Sequence, residues 1–593
     1  MIEDGRPPLR DVQVHLVDSV DMAACFLAWL GERRPEAVAI DTETRGLGWH
    51  ATPPPGQSFL RLVQFGDSMQ GWSIPADRWL GVAEQALAGL SASGAATSWW
   101  NVKFDFHALA SSGLTLPRWA TAFDGGTAHR LLHPMHNHML KHAGHLNYGH
   151  DAVAGEELRA GVFKEMGWDW DTVPVDHPAY WAYGAIDTVL TARLTHDMTQ
   201  DPALPAAAFE REMAVQAILY RAEERGVKVD PDYAAQLRDA WRTEAAMLRE
   251  HLEAQGIQNP ASNKQVSEAL EEAGWEPDEF TPTGMPLLDK QVLAVLSTRF
   301  PGVAEPLLRF RRLTKWTSTY LDTFLTQRDA NDCVHPSINT AAARTGRMSV
   351  TSPPFQTLPS GDHYIRTAIL PAREGEVLWA VDYANMEYRA FGTYANDPAL
   401  IRAFAEGVDI HSLAAEMVGI ERKQGKMWNF ARLYGAGARG LAQRAQVPEQ
   451  TVKVFFSKMD ELFPGAAQFM RSVERTAKER ASIEGEAYIV TGGGRRLPTE
   501  SDKVYRLTNY MIQGTCADVL KDAIIRVDAA GLGDAIVMPV HDELLFSFPE
   551  GEGAALAVQA AELMEDHSFT IPLTTEITGP LRTWGDAYRK DEA

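Results

Sequence analysis

Short apolar runs alternate with amphipathic stretches along this 593-residue chain, and their rhythm changes twice. Residues 1–200 carry brief apolar runs at 37–40 and 60–65 among segments of helical character, which predicts a mixed α/β block. From 201 to about 329 the chain is rich in Ala, Glu, Leu and Arg at helical spacing, as at 209–225 and 233–255, so a helical block is expected. From 335 onward, strand-like runs at 377–381, 535–540 and 544–548 again alternate with helical stretches. The expected organisation is therefore three blocks: α/β, helical, and a larger mixed one. No fixed-period repeat or low-complexity tract interrupts it, and the Thr-Pro-Pro-Pro-Gly stretch at 52–56 is expected as a loop within the first block.

Composition supports several domains, since the chain is too long for one hydrophobic core. Its 45% hydrophobic and 23% charged residues are those of a soluble globular protein. No apolar run reaches the length of a membrane span, so no membrane partner is expected. The first ten residues lack the apolar core of a secretory signal. Three widely separated cysteines, Cys25, Cys333 and Cys516, argue against a disulfide framework and for a reducing compartment. The net charge of −23 is unusual for a nucleic-acid binder, although binding requires only a local basic groove.

Candidate chemistry sharpens this outline. The apolar run at 37–40 leads into Asp41 and Glu43, whose two-residue spacing puts both carboxylates on one face of a strand. Asp105 follows an apolar-aromatic stretch, and Tyr183 and Asp187 are four apart, on one helical face. Each acid alone could be a solvated strand end. Between them lie His129, His133, His136, His138, His142, His145 and His150, which read either as a transition-metal site or as partly exposed surface histidines; no cysteine supports a zinc site there.

The mixed block carries four elements. Thr345 to Ser349 forms a loop containing Arg347, with Gln356 and Arg366 beyond it. An apolar strand then delivers Asp382 at its end, followed by Tyr383 and by Glu387 and Arg389 at a helix start; an N-cap role for Asp382 is the alternative. Arg422, Lys426, Phe430 and Tyr434 recur every four residues along one helix face. Two cations followed by two aromatics suit a nucleotide, the cations meeting phosphates and the rings meeting base or sugar. Finally, two apolar strands flank His541, Asp542 and Glu543 in a hairpin, after a helix opening near Asn509 and Gln513. Adjacent in extended backbone, Asp542 and Glu543 point to opposite sides, so only one of them is expected to be a principal metal ligand.

In their order, Asp41 and Glu43, Asp105, and the Tyr183/Asp187 pair resemble the DEDDy proofreading 3′–5′ exonucleases. The later elements, with the Trp-Gly-Asp-Ala-Tyr of 584–588, resemble family A DNA polymerases of the DNA polymerase I type. The resemblance implies an RNase H-like exonuclease domain (1–200), then a right-hand polymerase. The latter would comprise a helical thumb (201–334), an antiparallel-sheet palm (335–395 and 506–593) and helical fingers (396–505). It implies Mg²⁺ or Mn²⁺ cofactors, two held by Asp382 and Asp542 and two by Asp41, Glu43, Asp105 and Asp187, with Tyr183 orienting water and Glu543 in support. It further implies that Arg422, Lys426 and His411 meet the triphosphate and that Lys426 protonates pyrophosphate. Glu387 would exclude a ribose 2′-OH, Tyr434 would stack near the template base, and Phe430 would sense the sugar 3′ group. Tyr383 joins the nucleotide set, while Arg347, Arg389, Asn509, Gln513 and His541 are assigned to DNA.

The implied partners are primer-template DNA, dNTPs and a single-stranded 3′ end, in bacterial or phage-infected cytoplasm. Tyr505 stands where the family carries arginine, with Arg506 one step later, and Asp-Tyr-Ala-Asn-Met-Glu-Tyr-Arg replaces the bacterial motif around Asp382. These variants, with no preceding 5′-nuclease domain, look more like phage replicative polymerases, and the helical block shows no long insertion of the kind that binds a processivity factor. A nuclease with a DNA-binding module and a single-subunit RNA polymerase are the alternatives; the Arg422 stripe and the second acid pair disfavour the first, and Glu387 with the appended exonuclease disfavours the second.

Overall fold

The computed structural model describes residues 6–32, 37–50, 57–359 and 363–589, and the 52–56 loop lies outside them. The N-terminal sheet contains β1 (Gln13–Leu16), β2 (Val38–Thr44), β3 (Leu60–Gly66), β4 (Gln70–Pro75), β5 (Thr97–Trp99) and β6 (Ala122–Asp124) in the order β1-β4-β3-β2-β5-β6. The β2–β3 and β3–β4 pairs are antiparallel, and the remaining pairs are parallel. Helices α1 (Val102–Ser111) and α2 (Leu140–Tyr148) are followed by α3 (Pro178–Thr199), which crosses the sheet. The start of α3 uses Pro178, whose missing N–H costs nothing in a first turn. Its close seating depends on Gly71 in β4, where a Cβ would stand 2.1 Å from the carbonyl oxygen of Ala185.

Helix α4 (Ala206–Arg225) links this sheet to the rest of the chain. Beyond it, α5 (Pro231–Ala254) and α6 (Pro301–Trp316) pack together, and their far ends share a separate small core around Ile257, Leu270 and Leu307. A second sheet comprises β7 (Glu376–Tyr383), β8 (Ile536–Val540), β9 (Glu543–Pro549) and β10 (Thr575–Leu581), in the antiparallel order β8-β9-β7-β10. Central β7 is apolar and buried from Val377 to Val381, as a strand covered on both faces must be. Around it lie α7 (Met386–Ala395), α8 (Ile410–Val418), α9 (Arg422–Leu433) and α10 (Leu507–Ala529).

The 201–334 segment, expected as one helical block, is divided in its packing. Helix α4 lies against α10 and the first-block helix α1, whereas α5 and α6 pair with each other. Charge explains the position of α4. Glu212, fully buried, accepts from Arg495 at 2.6 Å and from Lys521, while Arg495 also pairs with Asp518 at 2.7 Å. Eleven residues on, buried Glu223 pairs with Lys103 at 2.5 Å and with His107 at 2.8 Å. Burial alone would raise Glu212, but Lys521 and Arg495 hold its carboxyl below the ordinary range. The same balance, with Lys103 and His107, holds Glu223 low.

Removing one member of such a buried network strands the others. Glu212→Gln should lower stability by about 3–5 kcal/mol, read as a fall in the unfolding midpoint. Because the folded Glu212 is depressed from 4.5, its contribution should be complete above that pH and be lost as pH falls further through the folded value. The Glu212→Gln chain should therefore show a shallower acid destabilisation than the unaltered chain.

Candidate active sites

Two carboxylate clusters stand at strand ends, one per sheet. In the first, β2 presents Asp41 and Glu43 on one face, and α1 brings Asp105 beside them, where Thr42 Oγ1 donates to Asp105 Oδ1 at 2.7 Å. From the facing side α3 supplies Asp187 and, one turn earlier, Tyr183. Glu43, Asp105 and Asp187 are buried. Burial, opposed by Lys141, raises Asp41 to about 6; burial and then Asp41 push Glu43 well above the carboxylate range. Asp105 is raised by the same two causes. The Tyr183 hydroxyl is also pushed up, by burial and then by Glu43 and Asp41.

A residue absent from the sequence-based set completes this cluster. Lys141 on α2 is 8% exposed, its ammonium donates to Asp187 Oδ1, and it lies 4.4 Å from the centre of the Tyr183 ring. Arg159 stands over the same ring at 5.0 Å.

The second cluster is built by strand register. Asp382, at the end of β7, is paired with Glu543 on β9 and with Glu576 on β10, so three carboxylates cross the sheet in a row. Asp542 occupies the two-residue turn between β8 and β9, next to His541 at φ +54°. Desolvation first, then the charges of Asp542 and Glu576, raise Asp382 to about 6 against the pull of Lys426. Burial and Asp382 push Glu543 to about 7. Glu576 was not anticipated, because a single acid near a strand start gives no signal until the register is known.

Helix α9 forms the opposite wall. Lys426 is exposed, with its ammonium 5.9 Å from the Phe430 ring centre, and Arg422 is paired with Asp409, the residue capping α8. Phe430 and Tyr434 follow, their ring centres 5.9 Å apart. Tyr434 donates its hydroxyl to Glu387 Oε2 at 2.7 Å, and Arg347 donates to Glu387 Oε1 while lying 3.9 Å from Asp542. Glu387 is only 5% exposed, so these two donors fix it. Gly435 ends this stretch at φ +72°, where a Cβ would meet Tyr505 at 2.8 Å. Phe430, Tyr434, Tyr505 and Arg506 line one hollow, placing Arg506 beside the α9 stripe.

Asn509 and Gln513 lie half-buried, one turn apart, on α10, and the Asn509 side-chain oxygen is buried without a partner. Two of the assigned side chains are engaged elsewhere. Tyr383 is buried on the far side of β7 from Asp382, and its hydroxyl donates to the Met564 carbonyl, so its side chain does not reach the cleft. Arg389 is held by the carbonyls of Ala384 (2.8 Å) and Pro572 (2.9 Å), which leaves it a structural role. His411 is largely buried against Tyr388 and Phe430, with Nδ1 3.2 Å from the Asn429 amide, and lies near the charges of Lys426 and Arg422.

In the histidine stretch, His129 is buried, contrary to the surface reading, and its Nδ1 meets His138 Nδ1 at 3.0 Å. Among the described residues, no three His, Cys, Asp or Glu side chains close around one point as a metal cage. In the two carboxylate clusters, Lys141 and Arg347 respectively stand among the acids. The donors there are hard oxygens raised by burial and mutual repulsion, a set suited to Mg²⁺ or Mn²⁺ rather than to a soft metal.

Comparisons with known proteins agree with this arrangement. A family model described as DNA polymerase family A matches residues 231–586, more than half of the chain. The chain is 30% identical over 596 residues to a DNA polymerase of Mycobacterium phage D29, covering 93% of this chain and 94% of that protein. A DNA polymerase of Mycobacterium phage L5 is 30% identical over 575 residues, with the same coverage. The DNA polymerase I of Pseudomonas aeruginosa is 28% identical across 95% of this chain and 65% of its own length. The polymerase domain of Mycobacterium smegmatis Pol1, solved in complex with DNA primer-template and dNTP, superimposes with a TM-score of 0.77. It is 25% identical and covers 97% of this chain and all of that one. No described helix is long and apolar enough to cross a membrane. The strand register that gathers Asp382, Glu543 and Glu576 opposite α9 thus lies within the matched region, and the chain belongs to DNA polymerase family A.

Proposed function

We propose that this chain extends a DNA primer with dNTPs on a template at the Asp382 cluster and trims 3′ ends at the Asp41 cluster. The observation that carries the reading is the row of Asp382, Glu543 and Glu576 within reach of the Lys426 charge, with Glu387 bonded to Tyr434 of the same helix stripe. Asp382 and Asp542 would hold divalent ions at the first site, and Asp41, Glu43, Asp105 and Asp187 at the second. Such ions, when bound, lower the pKa of an attacking hydroxyl or water and stabilise charge on the transferring phosphorus.

The protein side chains supply position and charge. Lys426 directs its ammonium into the cleft, where a triphosphate would be neutralised. Arg422, salt-bridged to Asp409 on the exposed rim, would exchange that partner for phosphate. Glu387, held by two donors, forms an unyielding wall beside the sugar, so that an added 2′-OH would crowd a buried carboxylate. At the second site, the Tyr183 hydroxyl stays protonated and orients water as a hydrogen-bonding group, not as a base.

Residues 1–200 would act as the exonuclease domain and 396–505 as fingers. The segments 335–395 and 506–593 would form the palm and 201–334 the thumb, whose far part, at the ends of α5 and α6 and the stretch between them, has its own core. The near end-to-end match with the phage D29 and L5 polymerases supports a role in phage genome replication.

Asp542→Ala should abolish primer extension, by roughly a thousandfold or more, yet leave degradation of a single-stranded 3′ end intact. Asp41→Ala should do the reverse; extension retained in Asp542→Ala would overturn the assignment. Glu387→Ala should increase ribonucleotide incorporation relative to deoxynucleotide by about 10–100-fold, measured as a ratio of kcat/KM values. An unchanged ratio would remove Glu387 from sugar selection.

A further inference from the structure

Among the described residues, Lys141 is a buried cation bonded to an acid of the N-terminal cluster, and the proposed function leaves it without a role. It comes from α2, an element that supplies none of the four carboxylates. Its ammonium is bonded to Asp187, lies over the Tyr183 ring, and is close enough to Asp41 and Glu43 to lower both. Gly144 fixes its helix against α3, since a Cβ there would meet the Leu190 side chain at 2.7 Å. Four carboxylates gathered in a poorly solvated site repel one another, and a cation fixed between them offsets that repulsion.

Resting on the exonuclease reading, we propose that Lys141 is a resident counter-ion: it positions Asp187 and Tyr183 in the metal-free chain and competes with the divalent ion for Asp187. Loading the site then exchanges one cation for another. As the ion takes Asp187, the displaced ammonium keeps Glu156 beside it. Both consequences of the lysine act in one direction. It relieves repulsion in the metal-free site, and it repels the entering ion, so it weakens metal affinity on both counts.

The test is Mn²⁺ binding to the full-length chain, followed by electron paramagnetic resonance of the free ion, with the ions lost in Asp41→Ala defining the site. Lys141→Met and Lys141→Gln should bind those ions roughly tenfold more tightly. Lys141→Arg, which keeps the charge, should stay near the unaltered value. Both neutral variants should melt lower in EDTA and recover in Mn²⁺, whereas a packing defect would persist in Mn²⁺. Unchanged or weaker binding in the neutral variants overturns the proposal, as does equal tightening by Lys141→Arg, or failure of both neutral variants to fold. If Asp41→Ala removes no Mn²⁺ and the unaltered chain degrades no 3′ ends, the exonuclease reading falls and this proposal with it. Normal degradation without tightening overturns this proposal alone.

Discussion

Two buried glutamates on one helix hold the halves of this molecule in register. Glu212 and Glu223 are eleven residues apart on α4, close to three full turns, so they share one stripe separated by about 16 Å along the axis. At one end Glu212 is bonded to Arg495 and Lys521, which belong to the polymerase half; at the other Glu223 is bonded to Lys103 and His107 on α1. Between them Gln216 donates to Thr127 at 2.9 Å. Apolar contact is tolerant of sliding, but a buried charge is satisfied in only one geometry, since loss of its partner costs several kcal/mol. Both anchors lead to a site. Lys103 is two residues from Asp105, and Lys521 donates to the Gly346 carbonyl at 2.8 Å, next to Arg347. The ionic stripe of α4 thereby fixes the backbone beneath each carboxylate cluster.

The two clusters solve the same electrostatic problem with different cations. Acids brought together by strand ends and helix turns lose solvation and repel, as the raised Asp41 and Asp382 record. In the N-terminal cluster a lysine enters from α2, and in the other the Arg347 guanidinium spans Glu387 and Asp542. An ammonium is a compact charge on a flexible stem, suited to giving way. A planar guanidinium with several donors holds its partners in a fixed geometry. That difference suits a lysine bonded to the single carboxylate Asp187 and an arginine spanning Glu387 and Asp542.

Much of this was legible in the sequence because strand and helix periods are fixed by geometry. Asp41 and Glu43 share a face at spacing two, Tyr183 and Asp187 at spacing four, and the Arg422 stripe lies on one side of α9. The same alternation accounts for Tyr383: one step beyond Asp382, its side chain must point into the core. What stayed hidden depended on partners far along the chain. Glu576 enters the acid row only through the β7–β10 register, and Lys141 only through the seating of α2 on α3. Arg389 carries the right chemistry, but the carbonyls of Ala384 and Pro572 occupy it.

The net charge of −23 is reconciled by the same local arrangement. That figure is an average over the whole chain and does not fix the potential at any one wall of a cleft, while on the α4 stripe Glu212 and Glu223 are buried and paired with cations. The cleft is decided by a few side chains, among which the bond between Tyr434 and Glu387 is the most consequential. It links the end of α9 to the start of α7. Any movement of α9 that withdraws Tyr434 leaves a nearly buried carboxylate with Arg347 as its remaining donor, at a cost of about 1–3 kcal/mol. A group that takes the position of the tyrosine hydroxyl offsets that cost, and one that cannot donate leaves it standing. A displacement of Tyr434 would therefore be coupled to what occupies the space beside Glu387, through hydrogen bonding to a nearly buried carboxylate and not through the overall charge of the chain.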